Sequence, residues 1–583
     1  MPGIPMRFRG IFLIPLLLLF QSGCSEAPDS AEQSKGNSAP ASHPAATSNT
    51  EWDDFSNAFM QALFDISPTT AVWAGKHEYD GQLPDFSQAG LAHMRNVLHR
   101  FQTQATAFDP SSLSHDRRFE QELIHWYIDR RLFWLESADW PHKNPSFYRG
   151  SLAPTVYVTR EYASPEKRLA SLTEYASRIP EALSQVQANL ELPLPETYRK
   201  LGISYFSGMA TYLADDVPVI FADVGSPELQ QRFDTANREA SAAFRNLAQW
   251  LEDSKPAAPG SYALGVKRFR EMLTRGEMVD LPLEQLTELG QKDLERNLAA
   301  LAKACGQITP DGVEACIRIV AGHKPEGGPV ARGRAQLVEL KQFVAQNDLV
   351  SIPSDEVALV REAPPYRRSN LAYINMPGPF EATPLPSIYY ISPPDPSWSP
   401  EVQAAFIPSE ARLMFVSVHE VWPGHFLWGL HRKLAPRPLS RLLSSTTFSE
   451  GWAHYAEEMM WEAGFHAGDP EMHVGQLVSA LMRNVRYMSA LGLHTGGMSV
   501  ADSIRLFQND AYLDTGNARQ QAARGTYDPN YLSYTLGKLM IRDLRRDWTA
   551  SRGGRKAWKA FHDELLSYGG APLPLVRKYM LGD

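Results

Sequence analysis

Hydrophobic residues recur at helical spacing along most of the chain. The first such stripe has intervals of three or four residues and consists of Phe55, Phe59, Leu63 and Ile66. Similar stripes occur in the segments 91–107, 115–136, 164–194 and 227–304, and from Pro408 almost to the C-terminus. No internal repeat of fixed period accompanies them. The pattern predicts a mainly α-helical protein.

One segment, residues 370–393, has a different pattern. Its β-branched and aromatic residues cluster around Pro-Gly-Pro and Thr-Pro-Leu-Pro, which predicts short strands and turns. The prolines restrict these strands to the edges of a sheet, and an exposed edge is a natural place to bind an extended peptide. We expect Tyr389 and Tyr390 to be strand residues that pack on helices. The segment therefore predicts one small sheet in a helical protein.

The first fifty residues have neither pattern. Two arginines precede an apolar run at residues 11–20, which is too short to span a bilayer but suits a secretory signal. The run ends at Gln21-Ser22-Gly23-Cys24, which resembles a bacterial lipobox with glutamine in place of the usual leucine. We predict a signal peptide at residues 1–23 and lipidation of Cys24. The alternative is an ordinary signal peptide followed by a chance cysteine.

Residues 24–50 are rich in Ser, Ala, Pro and other polar residues. Such a segment buries too little apolar surface to offset its ordering entropy, so we predict a flexible tether. Ser25 follows the lipidated cysteine, and by resemblance to other lipoproteins this favours the outer membrane over the inner one. We expect an exported protein that is anchored to the envelope by lipid and faces the periplasm.

Composition narrows the possible functions. The chain has 583 residues, of which 43% are hydrophobic, and this is enough for a large core. Its formal net charge of −9 provides no basic surplus for phosphates, so we expect no nucleic-acid partner. Three cysteines exclude a Cys-rich zinc module. Cys305 and Cys316 flank a Pro-Asp-Gly turn, and either a local disulfide or two buried free thiols would fit.

Candidate chemistry lies in the sequence VSVHEVWPGHFLW at residues 416–428. Glu420 follows His419, and His425 comes six positions after His419. In the HExxH zinc motif the histidines are four positions apart on one helix face, and the glutamate is the general base. Six residues of undisturbed helix would leave the second imidazole roughly 120° away. We expect Pro423 and Gly424 to disrupt the helix and return His425 to a shared metal.

A third ligand is expected from FSEGWAHYAEE, residues 448–458. Ser449 is a plausible helix-entry residue, and Glu450, His454 and Glu457 then share one helix face. Two histidines and one glutamate with an open fourth position are the ligand set of hydrolytic zinc enzymes.

We therefore predict one Zn²⁺ held by His419, His425 and Glu450. A second set, made of His419, Glu450 and His454, would keep regular helix spacing and leave His425 outside the coordination shell. The sequence does not decide which divalent ion is used in the cell.

The two segments together, HEVWPGH and EGWAHYAE, resemble the HExxPGH and EGWAxYxE pair of the bacterial domain of unknown function 885 family, many of whose members are lipoproteins. The resemblance covers nearly the whole exported chain, including RNVRYMSALGLHTGG and DPNYLSYTLGKLMIRDLR. It departs at Ala490, where the family usually has Asp, and at residues 529–531, where the family has PGQ. The family is similar to helical HExxH oligopeptidases, which implies a large helical metallopeptidase-like domain at residues 51–583. It also implies metal-site helices around 410–465 beside the small sheet.

The resemblance suggests roles for further residues. Glu420 would take a proton from the attacking water and deliver it to the leaving amine. Tyr534 and His494, each in a family-like segment, are candidate donors to the oxyanion. Tyr534 and Lys538 fall at i and i+4, so they could contact one substrate, although Tyr534 could equally be a packed core residue.

Three other residues are expected around the metal. Glu457 would orient a ligand imidazole from behind. Arg483 and Arg486 are candidates for binding a substrate carboxylate with paired hydrogen bonds, and a structural ion pair is the alternative for both.

Three functions are compatible with these motifs. The leading hypothesis is a lipid-anchored zinc metallopeptidase that acts on peptides in the periplasm. The second is a metal-dependent hydrolase of another amide or ester, which would activate water in the same way. The third is an envelope binding lipoprotein with a silent metal site, against which the retention of Glu420 argues. The sequence does not indicate peptide length, the position of cleavage or the oligomeric state.

Overall fold

The computed structural model describes residues 44–364, 368 and 371–582. The predicted signal peptide, Cys24 and the tether up to residue 43 lie outside them. Most of the chain before and after one small sheet is helical, as the hydrophobic pattern predicts. The helices before the sheet are α1 (Pro44–Ile66), α2 (Pro68–Ala74), α3 (Gln88–Thr106), α4 (His115–Leu132), α5 (Trp140–Lys143), α6 (Ser146–Arg149), α7 (Thr155–Thr159), α8 (Pro165–Asn189), α9 (Glu196–Thr211), α10 (Val217–Ile220), α11 (Pro227–Asp253), α12 (Gly265–Glu277), α13 (Leu283–Cys305), α14 (Val313–Gly322) and α15 (Pro329–Gln346).

A second group of helices follows the sheet and includes those that carry the candidate metal ligands. They are α16 (Pro400–Phe406), α17 (Glu410–Glu420), α18 (His425–Lys433), α19 (Pro438–Leu442), α20 (Thr446–Glu462), α21 (Pro470–Thr495), α22 (Val500–Asp510), α23 (Thr515–Tyr527), α24 (Ser533–Thr549), α25 (Trp558–Ser567) and α26 (Leu573–Leu581). Among the described residues, no helix combines the length and hydrophobicity needed to span a bilayer.

Helix α1 begins earlier than expected. It starts at Pro44, so residues 44–50, predicted as the end of the tether, are helical. Asn49 accepts a hydrogen bond of 3.0 Å from the backbone amide of Ser114, and the hydroxyls of Ser48 and Ser112 lie 2.8 Å apart. These contacts with a distant loop offset the low hydrophobicity of the segment.

The sheet has three strands, β1 (Ala358–Glu362), β2 (Ala372–Asn375) and β3 (Ser387–Ile391). Their order is β1-β3-β2, with β1 parallel and β2 antiparallel to β3. Strand β1 lies outside the predicted segment. The restriction to sheet edges is correct for β2 but wrong for β3, because the prolines flank β3 without interrupting it. Tyr389 packs on α17 as predicted, with its hydroxyl 3.2 Å from that of Ser417.

Two hydrophobic cores surround the candidate site. The larger core runs from Trp52 in α1 through Trp452 in α20 to Leu565 in α25, all of them fully buried. The smaller core includes Phe269 and Val485 and packs α12 against the middle of α21. Because α17, α20, α21 and α24 pack on one another, the side chains on their facing surfaces are held in a rigid frame.

The two remaining cysteines form a disulfide. Cys305 at the end of α13 is bonded to Cys316 in α14, with a Cα–Cα distance of 5.4 Å. Of the two alternatives that the sequence leaves open, the local disulfide is therefore the one observed. A disulfide is typical of an oxidising compartment.

Candidate metal centre

The HEVWPGH segment spans two helices and not one kinked helix. Helix α17 ends at Glu420, and α18 begins at His425 after a four-residue turn. At position 424 a Cβ atom would lie 1.8 Å from the carbonyl oxygen of His419, so only glycine permits this return of the chain. The indole N–H of Trp452 donates to the carbonyl of Pro423 at 2.9 Å. The EGWAHYAE segment thus holds the turn of the first motif in place.

The turn brings the three predicted ligands together. Ligand atoms of His419, His425 and Glu450, called here the metal cluster, all lie within 4.8 Å of one another. The Nε2 atoms of His419 and His425 are 3.5 and 3.4 Å from Glu450 Oε2. The two imidazole rings are nearly perpendicular, with centroids 4.8 Å apart. In the described part of the chain this is the one His, Cys, Asp and Glu group with metal-ligand spacing.

The donor atoms of the metal cluster suit a divalent cation. Glu450 Oε2 is buried and makes no hydrogen bond with the described residues. Burial would raise the pKa of Glu450, but His425 and His419 lower it well below its usual value, so the carboxylate is charged. A buried anionic oxygen without a hydrogen bond is costly, and a cation beside it would offset that cost. Two imidazole nitrogens and one carboxylate are the donor set of catalytic zinc sites.

A second carboxylate orients the first histidine. Glu457 lies on the same face of α20 as Glu450, and its Oε1 is 2.7 Å from His419 Nδ1. Arg483 holds Glu457 in turn, with its two terminal nitrogens 3.0 and 3.2 Å from the two carboxylate oxygens. A proton on Nδ1, shared with Glu457, leaves the Nε2 lone pair free to bind a metal. The predicted orienting role of Glu457 therefore has the matching geometry.

Glu420 lies between the metal cluster and the sheet. Its Oε2 accepts a 3.0 Å hydrogen bond from the backbone amide of Ile374 in β2. Burial raises its pKa, and the neighbouring His419 and His425 oppose that shift in part. A carboxylate with a raised pKa next to a metal cluster is the expected arrangement of a general base.

Helix α24 approaches the site through two glycines. A Cβ at Gly451 would lie 2.6 Å from Gly537 Cα, and one at Gly537 would lie 1.9 Å from the carbonyl of Thr447. This close crossing of α20 and α24 places Tyr534 beside the metal cluster, with its ring 6.3 Å from that of His419 and nearly parallel to it. Burial and the charge of Glu450 raise the pKa of Tyr534, so its hydroxyl keeps its proton and can donate.

Three arginines surround the Tyr534 ring. The guanidinium carbons of Arg483, Arg486 and Arg524 lie 5.7, 5.0 and 5.9 Å from its centre. Arg483 is paired with Glu457, and Arg524 is paired with Asp528 at 2.9 Å. Of the two alternatives that the sequence leaves open for Arg483, the structural ion pair is therefore the one observed, because its terminal nitrogens contact Glu457.

Lys538 is not placed as predicted. It is fully buried, and its Nζ donates to Asp293 at 2.7 Å and lies 3.2 Å from Glu458. Arg296 and Arg542 complete this group, called here the lysine cluster. Lys538 does share a helix with Tyr534, but its ammonium group is enclosed by carboxylates and cannot contact a substrate.

Neither of the two remaining predicted histidines joins the metal cluster. His494 Nε2 lies 2.8 Å from the carbonyl of Gly525, and its Nδ1 accepts from the amide of Leu264, so neither nitrogen is available to an oxyanion. It is also eleven residues beyond Arg483, or about 16 Å along α21. His454 is fully buried and has no hydrogen-bond partner among the described residues, and its Nδ1 lies 3.7 Å from a carboxylate oxygen of Glu457. The alternative ligand set with His454 does not form.

Some residues at the site carry no local sequence signal. Glu277 is buried and accepts hydrogen bonds from the amides of Thr446 and Thr447, so it caps the first turn of α20. That helix begins one turn before Ser449, with Ser445 as its N-cap. Asn530, in the segment that departs from the family pattern, donates to Glu277 at 2.8 Å. Ala490, the other departure, is buried in the smaller core.

The fold and the metal cluster together define a large helical protein with a two-histidine, one-glutamate centre on packed helices. The profile of the bacterial protein family of unknown function DUF885 matches residues 68–580, and the chain belongs to this family. No curated protein matches the sequence.

Two solved structures share the fold. A proposed lipoprotein of unknown function from Shewanella oneidensis is 24% identical, with a TM-score of 0.75 over 91% of this chain and 99% of its own. A proposed lipoprotein from Colwellia psychrerythraea is 16% identical, with a TM-score of 0.76 over 92% of this chain and 99% of its own. At these identities the similarity establishes the fold alone.

Proposed function

We propose that this protein is a zinc-dependent peptidase of the bacterial envelope. The observation that carries the proposal is the buried oxygen of Glu450, which has no hydrogen bond within the described residues and faces two imidazole nitrogens with Glu420 next to them. A purely structural zinc site has four protein ligands, whereas the metal cluster offers three and leaves room for a reacting group.

The side chains have distinct roles in this proposal. Zinc bound by His419, His425 and Glu450 would act as a Lewis acid towards water and the scissile carbonyl. Glu420 accepts a proton from the attacking water and delivers it to the leaving nitrogen as the C–N bond breaks. The Tyr534 hydroxyl donates a hydrogen bond to the oxygen that becomes negative during attack.

Peptides are favoured as substrates by the position of the sheet. Strand β2 is an edge strand, and the amide of Ile374 in this strand contacts Glu420. An extended peptide that pairs with such an edge would pass the general base. The same machinery could hydrolyse other amides or esters, so substrate panels have to include them.

The proposal is tested by metal analysis and by a general-base variant. The purified protein should bind about one zinc per chain and cleave members of an unmodified peptide library. Glu420→Gln should retain zinc but reduce kcat by roughly 10²- to 10⁴-fold. Glu401→Gln, an exposed change on α16, serves as the control. Full activity of Glu420→Gln, or a zinc-loaded protein that hydrolyses esters but no peptide, would contradict the proposal.

We further propose that Cys24 carries a lipid that anchors the protein to the outer membrane, facing the periplasm. The lipobox-like sequence before Cys24, the disulfide, and the two structural relatives described as proposed lipoproteins support this. Labelled palmitate should be incorporated into the wild-type protein but not into Cys24→Ser. Release of the wild-type protein into the soluble periplasmic fraction would contradict lipid anchoring.

A further inference from the structure

Arg486 is the one arginine around Tyr534 without a carboxylate partner in the described part of the chain. Its side chain is buried at 7% exposure, and its Nε donates to the side-chain oxygen of Gln521 at 2.8 Å. Within the described residues, no oxygen accepts a hydrogen bond from its two terminal nitrogens. Nη2 lies 4.0 Å from Met482 Sδ, which is a weak acceptor, so both terminal nitrogens can still donate to the oxygens of a ligand.

The charges around Arg486 favour an anion. The neighbouring Arg483 and Arg524 are each paired with one carboxylate, Glu457 and Asp528, whereas no described carboxylate forms an ion pair with Arg486. Burying an uncompensated charge is costly, and a carboxylate that binds two parallel N–H groups compensates it well.

The position of Arg486 relative to the metal cluster limits the size of the ligand. The Tyr534 ring lies 6.3 Å from the His419 ring and 5.0 Å from the Arg486 guanidinium, so Arg486 is within about 11 Å of His419. An extended peptide advances about 3.3 Å per residue. With the scissile bond beside His419 and Glu420, Arg486 can be reached by a C-terminal fragment of at most about three residues.

We propose that Arg486 binds the C-terminal carboxylate of the substrate, so that the protein is a carboxypeptidase that releases fragments of one to three residues. This inference rests on the proposed peptidase function. From the sequence, both Arg483 and Arg486 are candidates for binding a substrate carboxylate, whereas this inference assigns that carboxylate to Arg486 alone. It also specifies that cleavage occurs near the C-terminus of the substrate.

The test compares peptides that differ only in a free C-terminal carboxylate or a C-terminal amide. For the zinc-loaded wild-type protein, kcat/KM should be roughly 10- to 100-fold higher for the acid, because hydrogen bonds to charged groups are stronger than those to neutral groups. Mass analysis should find released fragments of one to three residues. Equal rates for acid and amide, or cleavage far from the C-terminus, would overturn the carboxylate site while leaving the peptidase proposal intact.

Two variants address Arg486 itself. Arg486→Gln should bring the acid-to-amide ratio close to one. Gln521→Glu keeps Arg486 but places a carboxylate against its Nε. Because this carboxylate would compensate the charge of Arg486, the ratio of kcat/KM for the acid to that for the amide should also fall towards one. Arg519→Gln, an exposed change on the same helix as Gln521, should keep the wild-type ratio. A wild-type ratio in a folded Gln521→Glu protein would overturn the inference even if Arg486→Gln does not fold.

Binding gives a readout that does not depend on turnover. Calorimetric titration of the Glu420→Gln protein with both peptides should give a Kd that is roughly 10- to 100-fold lower for the acid. If no peptide is cleaved by the wild-type protein, the peptidase proposal fails, and the titration still decides the inference: tighter binding of the acid supports a carboxylate site at Arg486, and equal binding overturns it.

Discussion

Helix α20 takes part in two buried charge clusters that differ in one respect. In the lysine cluster, both oxygens of Asp293 and both oxygens of Glu458 are paired with side-chain nitrogens of Lys538, Arg296 and their neighbours. In the metal cluster, Glu450 Oε2 accepts no hydrogen bond from the part of the chain that the structure describes.

The difference separates a structural role from a chemical one. A buried ion group with every acceptor satisfied cannot bind a ligand without breaking an existing pair. A group with an anionic oxygen that accepts no hydrogen bond has capacity for a cation. The two clusters therefore should respond in opposite ways to substitution: the metal cluster through metal content and turnover, and the lysine cluster through stability.

The largest expected effect comes from removing the anionic ligand. Glu450→Gln should reduce zinc content from about one per chain to near none and abolish turnover, because a neutral amide neither balances the cation nor binds it well. The thermal unfolding of the metal-free variant should stay close to that of the metal-free wild type.

Metal analysis after dialysis measures this effect. Glu462→Gln is the matched control, since Glu462 lies on the same helix and pairs with Arg545 away from the metal cluster. Unchanged zinc content in Glu450→Gln would show that Glu450 is only an ion-pair partner of the histidines. The proposed difference between the metal cluster and the lysine cluster would then be wrong.

Breaking the lysine cluster should produce a large loss of stability. Lys538→Met leaves Asp293 and Glu458 buried with one cation fewer, and we expect unfolding to become easier by about 3–5 kcal/mol. The folded fraction should still bind zinc. Urea unfolding measures the change, and Lys559→Met, which removes an exposed pair with Asp348, should cost at most about 1 kcal/mol. If Lys538→Met is as stable as the Lys559→Met control, the lysine cluster does not have the structural role assigned to it.

A smaller effect is expected for the carboxylate behind His419. Glu457→Gln removes the charge that orients the imidazole, so zinc affinity should fall by roughly 10- to 100-fold. Competition with a chromophoric chelator measures this affinity. If affinity is unchanged, Glu457 supports Arg483 and not the metal.

The sequence predicts the metal cluster well because its members lie within two short motifs. The structure brings His419, His425 and Glu450 together, and their role as metal ligands stays a prediction. The expectation that Pro423 and Gly424 interrupt the helix is confirmed, although the interruption is complete. Helices are predicted for a similar reason, because their apolar stripes are local patterns.

Contacts between distant segments account for the wrong predictions. Spacing places Lys538 on the same helix face as Tyr534, but only the packing of α13 shows that Asp293 encloses it. His494 lies in a family-like segment, yet its partners Leu264 and Gly525 come from elsewhere in the chain. Arg524 carries no local signal that distinguishes it from other arginines. Tertiary packing decides such roles, and composition and spacing do not encode it locally.

The smallest expected effect is a loss of folding stability at low pH. It tests the lysine cluster separately from the metal cluster. Burial alone would raise the pKa of Asp293, but Lys538 and Arg296 lower it from 3.8 to about 2. A lowered pKa stabilises the folded state above pH 3.8, and this contribution, about 2 kcal/mol, is lost as the pH falls through 2. In metal-free protein, where zinc release cannot contribute, the stability difference between wild type and Asp293→Asn should therefore shrink between pH 4 and pH 2, as measured by urea unfolding. A difference that stays constant over this range would mean that the charge of Asp293 does not stabilise the fold. A difference that shrinks only in acid would mean that the lysine cluster supports the helices throughout the neutral range in which Glu420 would act as a base.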